Sequence, residues 1–361
     1  MEALHVFEPL TIRSHKGAYV VSFDTECLRV LDRDFDDTCH FIIDQNIAAL
    51  YTAKIGRVLE AHSVLAIEAT EENKSLDKFP GYVEHLVSRS VRRGHKLIAI
   101  GGGIIQDITS FLAATMLRGL PWRFYPTTLL AQADSCIGSK SSINAGKTKN
   151  ILGTYMPPEE VYIDVNFLDT LELREVRSGV GEMLKVHAIE GPGLFDAIAR
   201  DYPALFSDRH VLERYVYRSL EIKKPIIELD EFDTGTRNIM NYGHSFGHAI
   251  ESATDFAIPH GVAVSIGMDM ANFVASRLAI TGTGHYERMH GILRENSKDF
   301  DNCEIYEDTF MSAIAKDKKN TGTHLKVVLP GPDGRISVHL LENDSAFREL
   351  CCQFIQQGRF Q

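Results

Sequence analysis

KLIAIGGGIIQDITSFLAA, residues 96–114, decides the fold class. An apolar, β-rich run ends at Gly101-Gly102-Gly103, and helical periodicity takes over directly after the glycines. The stretch reads as a buried strand turning tightly into a helix. Glycines there let the backbone approach a phosphate, and the helix N-terminus supplies unpaired amides and a favourable dipole. The pattern is not G-x-G-x-x-G, and a strand-to-helix turn without a ligand has the same signature. Outward from it, FIIDQ (41–45), SVLAIEA (63–69), WRFYPTT (122–128) and VYIDV (161–165) alternate with helix-like segments. This alternation predicts an α/β fold with a mostly parallel sheet. Asp44-Gln45-Asn46 follows FIID at a strand end, where a doubly wound sheet binds a ribose or adenine and where a plain helix cap is equally in place.

Beyond about residue 170 the β-branched runs thin out and helical periodicity prevails, as in 171–189, 214–229, 247–254, 261–280 and 310–319. HLKVVLPGPDGRISVHLL (324–341) interrupts it with two β-rich runs around a P-D-G turn, the signature of a small hairpin. A chain of 361 residues exceeds one compact core, so two domains sharing a cleft are expected, residues 1–170 and 171–361. The formal net charge of -11 argues against nucleic acid and anionic lipid as partners. An anionic substrate must then meet a local cluster of Lys and Arg. No apolar run reaches the length of a membrane span and no secretion signal opens the chain, which makes the cytoplasm the expected location. Six scattered cysteines without a C-x-x-C pair read as reduced thiols.

NYGHSFGHAIE (241–251) sets His244 and His248 four residues apart on one helix face, and IPHGVAVSIGM (258–268) adds His260 at the start of the next helical segment. Glu182 lies upstream in GVGEMLKVH. Three N/O ligands with an open position suit a catalytic zinc, and the absence of H-E-x-x-H disfavours a zincin protease. Spacing alone leaves open which of these residues bind a metal, or whether any does.

GGGIIQD (101–107), MLRG (116–119), PTTLLAQADSCIGSK (126–140), GKTKNILGTYMPPEEVYID (146–164), GEMLK (181–185), DEFDTGTRNIMNYGHSFGHAIE (230–251) and PHGVAVSIGM (259–268), taken in order, resemble the dehydroquinate synthase family of sugar phosphate cyclases. The resemblance runs from about residue 40 to residue 330. It implies a Rossmann-like, doubly wound parallel sheet with a mainly α-helical C-terminal domain, and an enzyme, a carbon–oxygen lyase acting on phosphates. It also implies a homodimer, NAD and Zn2+ as cofactors with Co2+ as the alternative ion, and a small-molecule sugar phosphate as substrate. By this resemblance the metal ligands are Glu182, His244 and His260, leaving His248 to the substrate. NAD is assigned to Asp44, Asn46, Glu71, Lys74, Gly102, Gly103, Asp107, Thr127, Thr128, Leu130, Lys149 and Thr170. Substrate is assigned to Arg118, Asp134, Lys140, Asn150, Lys185, Lys223, Arg237, Asn241, His248 and Lys319 of the Lys318-Lys319 pair. Among these, Arg118, Lys140, Asn150 and His248 surround the phosphate, Arg118 from a partner subunit, and Lys223 with Arg237 pairs a carboxylate.

By the same resemblance, Lys223, Arg237, Asn241 and His248 favour 3-deoxy-D-arabino-heptulosonate 7-phosphate, closed to 3-dehydroquinate in the shikimate pathway of aromatic amino acid biosynthesis. Departures from the family pattern at Gln106, Ser139, Asp233, Val262 and GKTK (146–149) leave the assigned residues intact and keep other substrates open. These are an amino analogue, and the sugar phosphates of the 2-deoxy-scyllo-inosose and sedoheptulose 7-phosphate cyclases. A metal-dependent NAD alcohol dehydrogenase shares the two-domain design, but the Lys and Arg set exceeds what a simple alcohol needs.

Overall fold

A computed structural model of the chain describes residues 7–146, 148–316, 320 and 324–360. The chain divides into two compact units, Met1–Leu171 with Lys224–Phe232, and Glu172–Lys223 with Asp233–Gln361.

The first unit contains strands β1 (Leu10–Ser14), β2 (Gly17–Phe23), β3 (Cys39–Asp44), β4 (Val64–Ile67), β5 (Lys96–Gly101), β6 (Trp122–Pro126), β7 (Lys140–Ala145), β8 (Thr148–Tyr155) and β9 (Glu160–Ile163). Its helices are α1 (Cys27–Asp34), α2 (Gln45–Leu50), α3 (Gly56–Leu59), α4 (Phe79–Ser88) and α5 (Gly103–Thr115). Seven strands form one sheet in the order β1-β2-β9-β6-β5-β3-β4. All neighbours from β2 to β4 are parallel, and β1 adds an antiparallel edge. β3 is buried along its whole length and Leu97–Ile100 of β5 is fully buried, as expected of strands covered on both faces. From β3 the chain steps out to β4 and then crosses to β5 on the other side, so the order reverses between β3 and β5. That switch point is where doubly wound sheets open a crevice at the carboxyl ends of their strands. The register Ile43↔Ile100 and Gly101↔Pro126 brings Asp44, Gly102 and Thr127 to this same edge.

The sequence reading did not mark the β1–β2 hairpin or the β7–β8 pair. β8 has no buried position, so no hydrophobic alternation betrays it. Its strand character comes from backbone pairing with β7, from Lys140↔Tyr155 to Ala145↔Thr148.

The second unit contains α6 (Leu173–Glu190), α7 (Pro192–Arg200), α8 (Arg209–Leu229), α9 (His244–Ala253), α10 (His260–Arg277), α11 (Thr283–Ser297), α12 (Glu307–Ala315) and α13 (Ser345–Gln356), with the expected hairpin as β10 (His324–Pro330) and β11 (Ile336–Glu342). α8 carries the chain back into the first unit at Lys224, one residue before Pro225, a return for which the reading had no signal. α10 is buried from Gly261 to Ala275, polar Ser265, Asp269 and Asn272 included. Glycines let its neighbours come close. A Cβ on Gly261 would stand 1.8 Å from the Ser178 carbonyl oxygen of α6, and one on Gly267 would stand 2.1 Å from the carbonyl oxygen of Gly243, the residue that caps α9. Among the described residues no helix is long and apolar enough to cross a membrane.

Candidate active site

In the second unit three elements deliver Glu182, His244 and His260. Glu182 sits inside α6 and is 1% exposed, while His244 and His260 open α9 and α10. Each has a glycine as chain neighbour, Gly181, Gly243 and Gly261, and each of these glycines lies where a Cβ would strike the adjoining helix. Close packing of the three helices thus sets the spacing of the three side chains.

His244 Nε2 lies 3.6 Å and His260 Nε2 3.4 Å from Glu182 Oε1. Ligand atoms held about 2.0–2.1 Å from a tetrahedral ion stand about 3.3 Å apart, which matches these separations. Glu182 Oε1 is buried without a hydrogen bond, whereas Oε2 accepts one from Lys185 Nζ. The far nitrogen of each imidazole is engaged, His244 Nδ1 with the Tyr242 carbonyl and His260 Nδ1 with Glu251 Oε2, both at 3.3 Å. Such partners fix the ring and leave Nε2 to the metal. Ligand atoms of His244, His248 and His260 also lie within 4.8 Å of one another, but His248 is exposed.

Electrostatics agree with a cation at this point. Burial alone would raise the Glu182 carboxyl, but Lys185, His244 and His260 hold it well below the usual range. Burial, then Lys185, presses His244 far below the usual imidazole value, which keeps it neutral. His260 goes the other way: burial opposes the charge, yet the neighbouring Glu182 and Glu251 carboxylates push it up to about 10. Holding a divalent ion through Nε2 would require His260 to give up that proton. The residues present therefore fit a divalent metal.

Lys185, Lys223 and Arg237 are buried, at 2%, 5% and 9% exposure, an uncommon state for cations. Arg237 and Asn241 lie on a short 3-10 turn, Thr236–Asn241, that leads to His244, and Asn241 donates to the Asn238 carbonyl at 3.1 Å. Lys318 and Lys319 lie outside the described residues.

Of the nucleotide candidates of the first unit, Asp44, Gly102 and Thr127 lie at the switch-point edge. Asp44 caps α2, its carboxylate accepting from the Asn46 N–H at 2.9 Å, so the capping reading of Asp44 describes the observed contact. Burial raises its carboxyl. Gly102 packs on Thr128, where a Cβ would meet Cγ2 at 2.8 Å, while a Cβ on Gly103 would meet nothing within 4 Å. The turn is thus closed on one side and open on the other. Thr127 N–H donates to the Gly101 carbonyl at 3.0 Å, and Leu130 immediately precedes a π-turn, Ala131–Ser135, that carries Asp134. Thr170 meets the Tyr51 hydroxyl at 3.1 Å.

Residues assigned separately to cofactor and to phosphate come together below this edge. Lys74 Nζ, 6% exposed, donates to Asp107 at 3.1 Å and to Asn150 Oδ1 at 3.0 Å, and stands 3.3 Å from Glu71. Asn150 takes a left-handed φ of 51°, held by its N–H on Asn144 Oδ1 at 2.9 Å. Lys140 and Lys149 are exposed on β7 and β8. Arg118 projects, exposed, from a turn after α5 in which Leu117, Arg118 and Gly119 all have positive φ. Glu251 and Asn144 were missed by the sequence reading. Glu251 had a signal, lying seven residues after His244 on one helix; Asn144, in a polar strand, had none.

Fold and cluster together define an enzyme class that joins a doubly wound, nucleotide-type sheet to a helical unit bearing histidines and a carboxylate. The same fold, with 21% identity and a TM-score of 0.82, occurs in 2-deoxy-scyllo-inosose synthase complexed with carbaglucose-6-phosphate, NAD+ and Co2+, covering 95% of this chain and 99% of that one. It occurs too in 2-epi-5-epi-valiolone synthase from Streptomyces hygroscopicus subsp. jinggangensis 5008 with NAD+ and Zn2+ bound, at 24% identity and a TM-score of 0.80, over 100% and 99% of the two chains. The chain belongs to the 3-dehydroquinate synthase family: the family's N-terminal model matches residues 64–178 and its C-terminal model residues 179–320. The 3-dehydroquinate synthase of Thermoanaerobacter sp. (strain X514) is 34% identical over 315 residues, 86% of this chain and 88% of that protein.

Proposed function

We propose that this chain is a sugar phosphate cyclase that uses NAD and Zn2+ to convert 3-deoxy-D-arabino-heptulosonate 7-phosphate to 3-dehydroquinate, eliminating phosphate and closing a carbocycle by intramolecular aldol addition. The observation that carries the reading is the approach of His244 Nε2 and His260 Nε2 to the orphaned Oε1 of Glu182. When bound, NAD supplies a hydride acceptor that is regenerated within each turnover, and the divalent ion polarises the hydroxyl being oxidised.

The protein's own groups divide the remaining work. Lys185 holds one oxygen of Glu182 and so leaves the other for the ion. Buried Lys223 and Arg237 of the second unit are suited to a substrate carboxylate, which favours an acid over a neutral sugar. Asn241 and the exposed His248 add polar contacts to the substrate. In the first unit, Lys140 and Asn150 neutralise and position the phosphate, Asp134 orients the substrate, and the strand-end set from Asp44 to Thr170 binds the nucleotide. The enzyme acts in the cytoplasm as a homodimer, with the exposed Arg118 serving the second copy.

Phosphate release from a panel of sugar phosphates, with NAD and zinc and with products identified by NMR, tests the reading. Release from the seven-carbon acid phosphate, with no net change in nicotinamide absorbance, is expected. Accumulating NADH would make the protein an alcohol dehydrogenase, and release only from glucose 6-phosphate or sedoheptulose 7-phosphate would replace the substrate.

A further inference from the structure

Asp134 lies on a single π-turn, closed by the Cys136 N–H on the Ala131 carbonyl at 2.9 Å. Such i→i+5 turns are rare and persist where surrounding contacts hold them. Two glutamines do so here. At the start of the turn, buried Gln132 donates to the Pro126 carbonyl at 3.0 Å and to the Asp164 carbonyl at 2.8 Å, fixing it to the ends of β6 and β9. At its end, Gln106 of α5, 6% exposed, donates from Nε2 to the Ser135 carbonyl and accepts from Ser135 Oγ, both at 2.6 Å. The next residue on α5, Asp107, faces another segment and accepts the Ser142 N–H at 3.1 Å. Gln106 thus grips Ser135 through both its backbone and its side chain.

We infer that Gln106 is a positioning residue, whose paired hydrogen bonds to Ser135 hold the π-turn and thereby aim Asp134 at the substrate. The inference rests on the cyclase reading, in which Asp134 touches substrate. Without those bonds the half-buried Ser135 carbonyl loses its donor, and the turn gains freedom to relax toward ordinary helical pitch, rotating Asp134 away.

Gln106→Met fills the same space and removes both bonds. In the holoenzyme it is expected to lower kcat/KM for the sugar phosphate about tenfold or more, with the NAD dissociation constant and the metal content within about twofold of the parent. Amide exchange at Cys136 should speed up by a similar factor. Combined with Asp134→Asn it should add no further loss, because both changes disable one group. Independent, multiplying losses in that double variant, or an unchanged kcat/KM in Gln106→Met, overturns the inference. If Gln106→Met does not fold, Ser135→Ala, which removes one of the two bonds, is read by the same measures. A parent protein that releases no phosphate would defeat the cyclase reading instead, and Cys136 exchange would still decide whether Gln106 holds the turn.

Discussion

Gly181 and Gly261 meet back to back, so that a Cβ on Gly181 would stand 2.0 Å from the Gly261 carbonyl oxygen. Their chain neighbours are Glu182 and His260, and the contact sets how near those side chains come. Gly261→Ala must push α6 and α10 apart. It is expected to cost on the order of 3 kcal/mol of stability and to lower bound metal sharply, read by thermal melting and metal analysis. A variant with the parent's melting temperature and full metal content would show that the spacing is not set here.

Removing the candidate ligands separates holding from aiming. His260→Ala should lose metal and phosphate release together, and zinc retained at full occupancy would refute the assignment. Glu251→Gln leaves all three candidate ligands and weakens the grip on His260 Nδ1. Metal affinity should fall by about 10- to 100-fold, measured by competition with a chelator.

Acid stability should depend on His40. Its ring is fully buried, with Nδ1 at 2.7 Å from Ser63 Oγ and Nε2 at 2.9 Å from His95 Nδ1. Burial, then the neighbouring His95, His62 and His85, lowers its pKa to about 4. Because the folded value lies below the unfolded one, the stabilisation is complete above pH about 6.5 and is lost as pH falls toward 4, on the order of 2–3 kcal/mol. His187, lowered to about 4 by burial, acts in the same sense in the second unit. Urea unfolding across this window should show the slope, and His40→Gln should flatten it. A parent whose stability does not change between pH 6.5 and 4 would refute the account.

How much of this was legible follows from what each residue does. The strand, glycines and helix of residues 96–114 announce themselves because local periodicity and turn chemistry agree, and β5 and α5 form there. The histidine spacing exposes a cluster but not its membership. His244 and His248 share a helix face by sequence, and it is the packing at Gly181 and Gly261 that brings Glu182 of α6 up to His244. Those glycines look like helix defects in sequence and act as packing surfaces in three dimensions. Asn144 and β8 stay silent because they are held by backbone pairing and polar bonds, which leave no apolar period.

In the proposed reading, Arg237 is the residue on which substrate choice turns. It is 9% exposed on the 3-10 turn before His244, in a unit that also buries Lys223. A guanidinium presents a planar fork that a carboxylate can accept through two parallel bonds, and low exposure strengthens them. Arg237→Ala should therefore reduce kcat/KM for the acid phosphate by on the order of 2 kcal/mol in transition-state binding, about 30-fold. Arg237→Lys keeps the charge without the fork and should fall between the two. The loss should vanish on a substrate analogue lacking the carboxylate, for which parent and Arg237→Ala should react equally slowly. Unchanged kinetics with the acid would remove the reason for preferring it, whereas equal losses on acid and neutral substrates would make Arg237 a structural cation of the second unit.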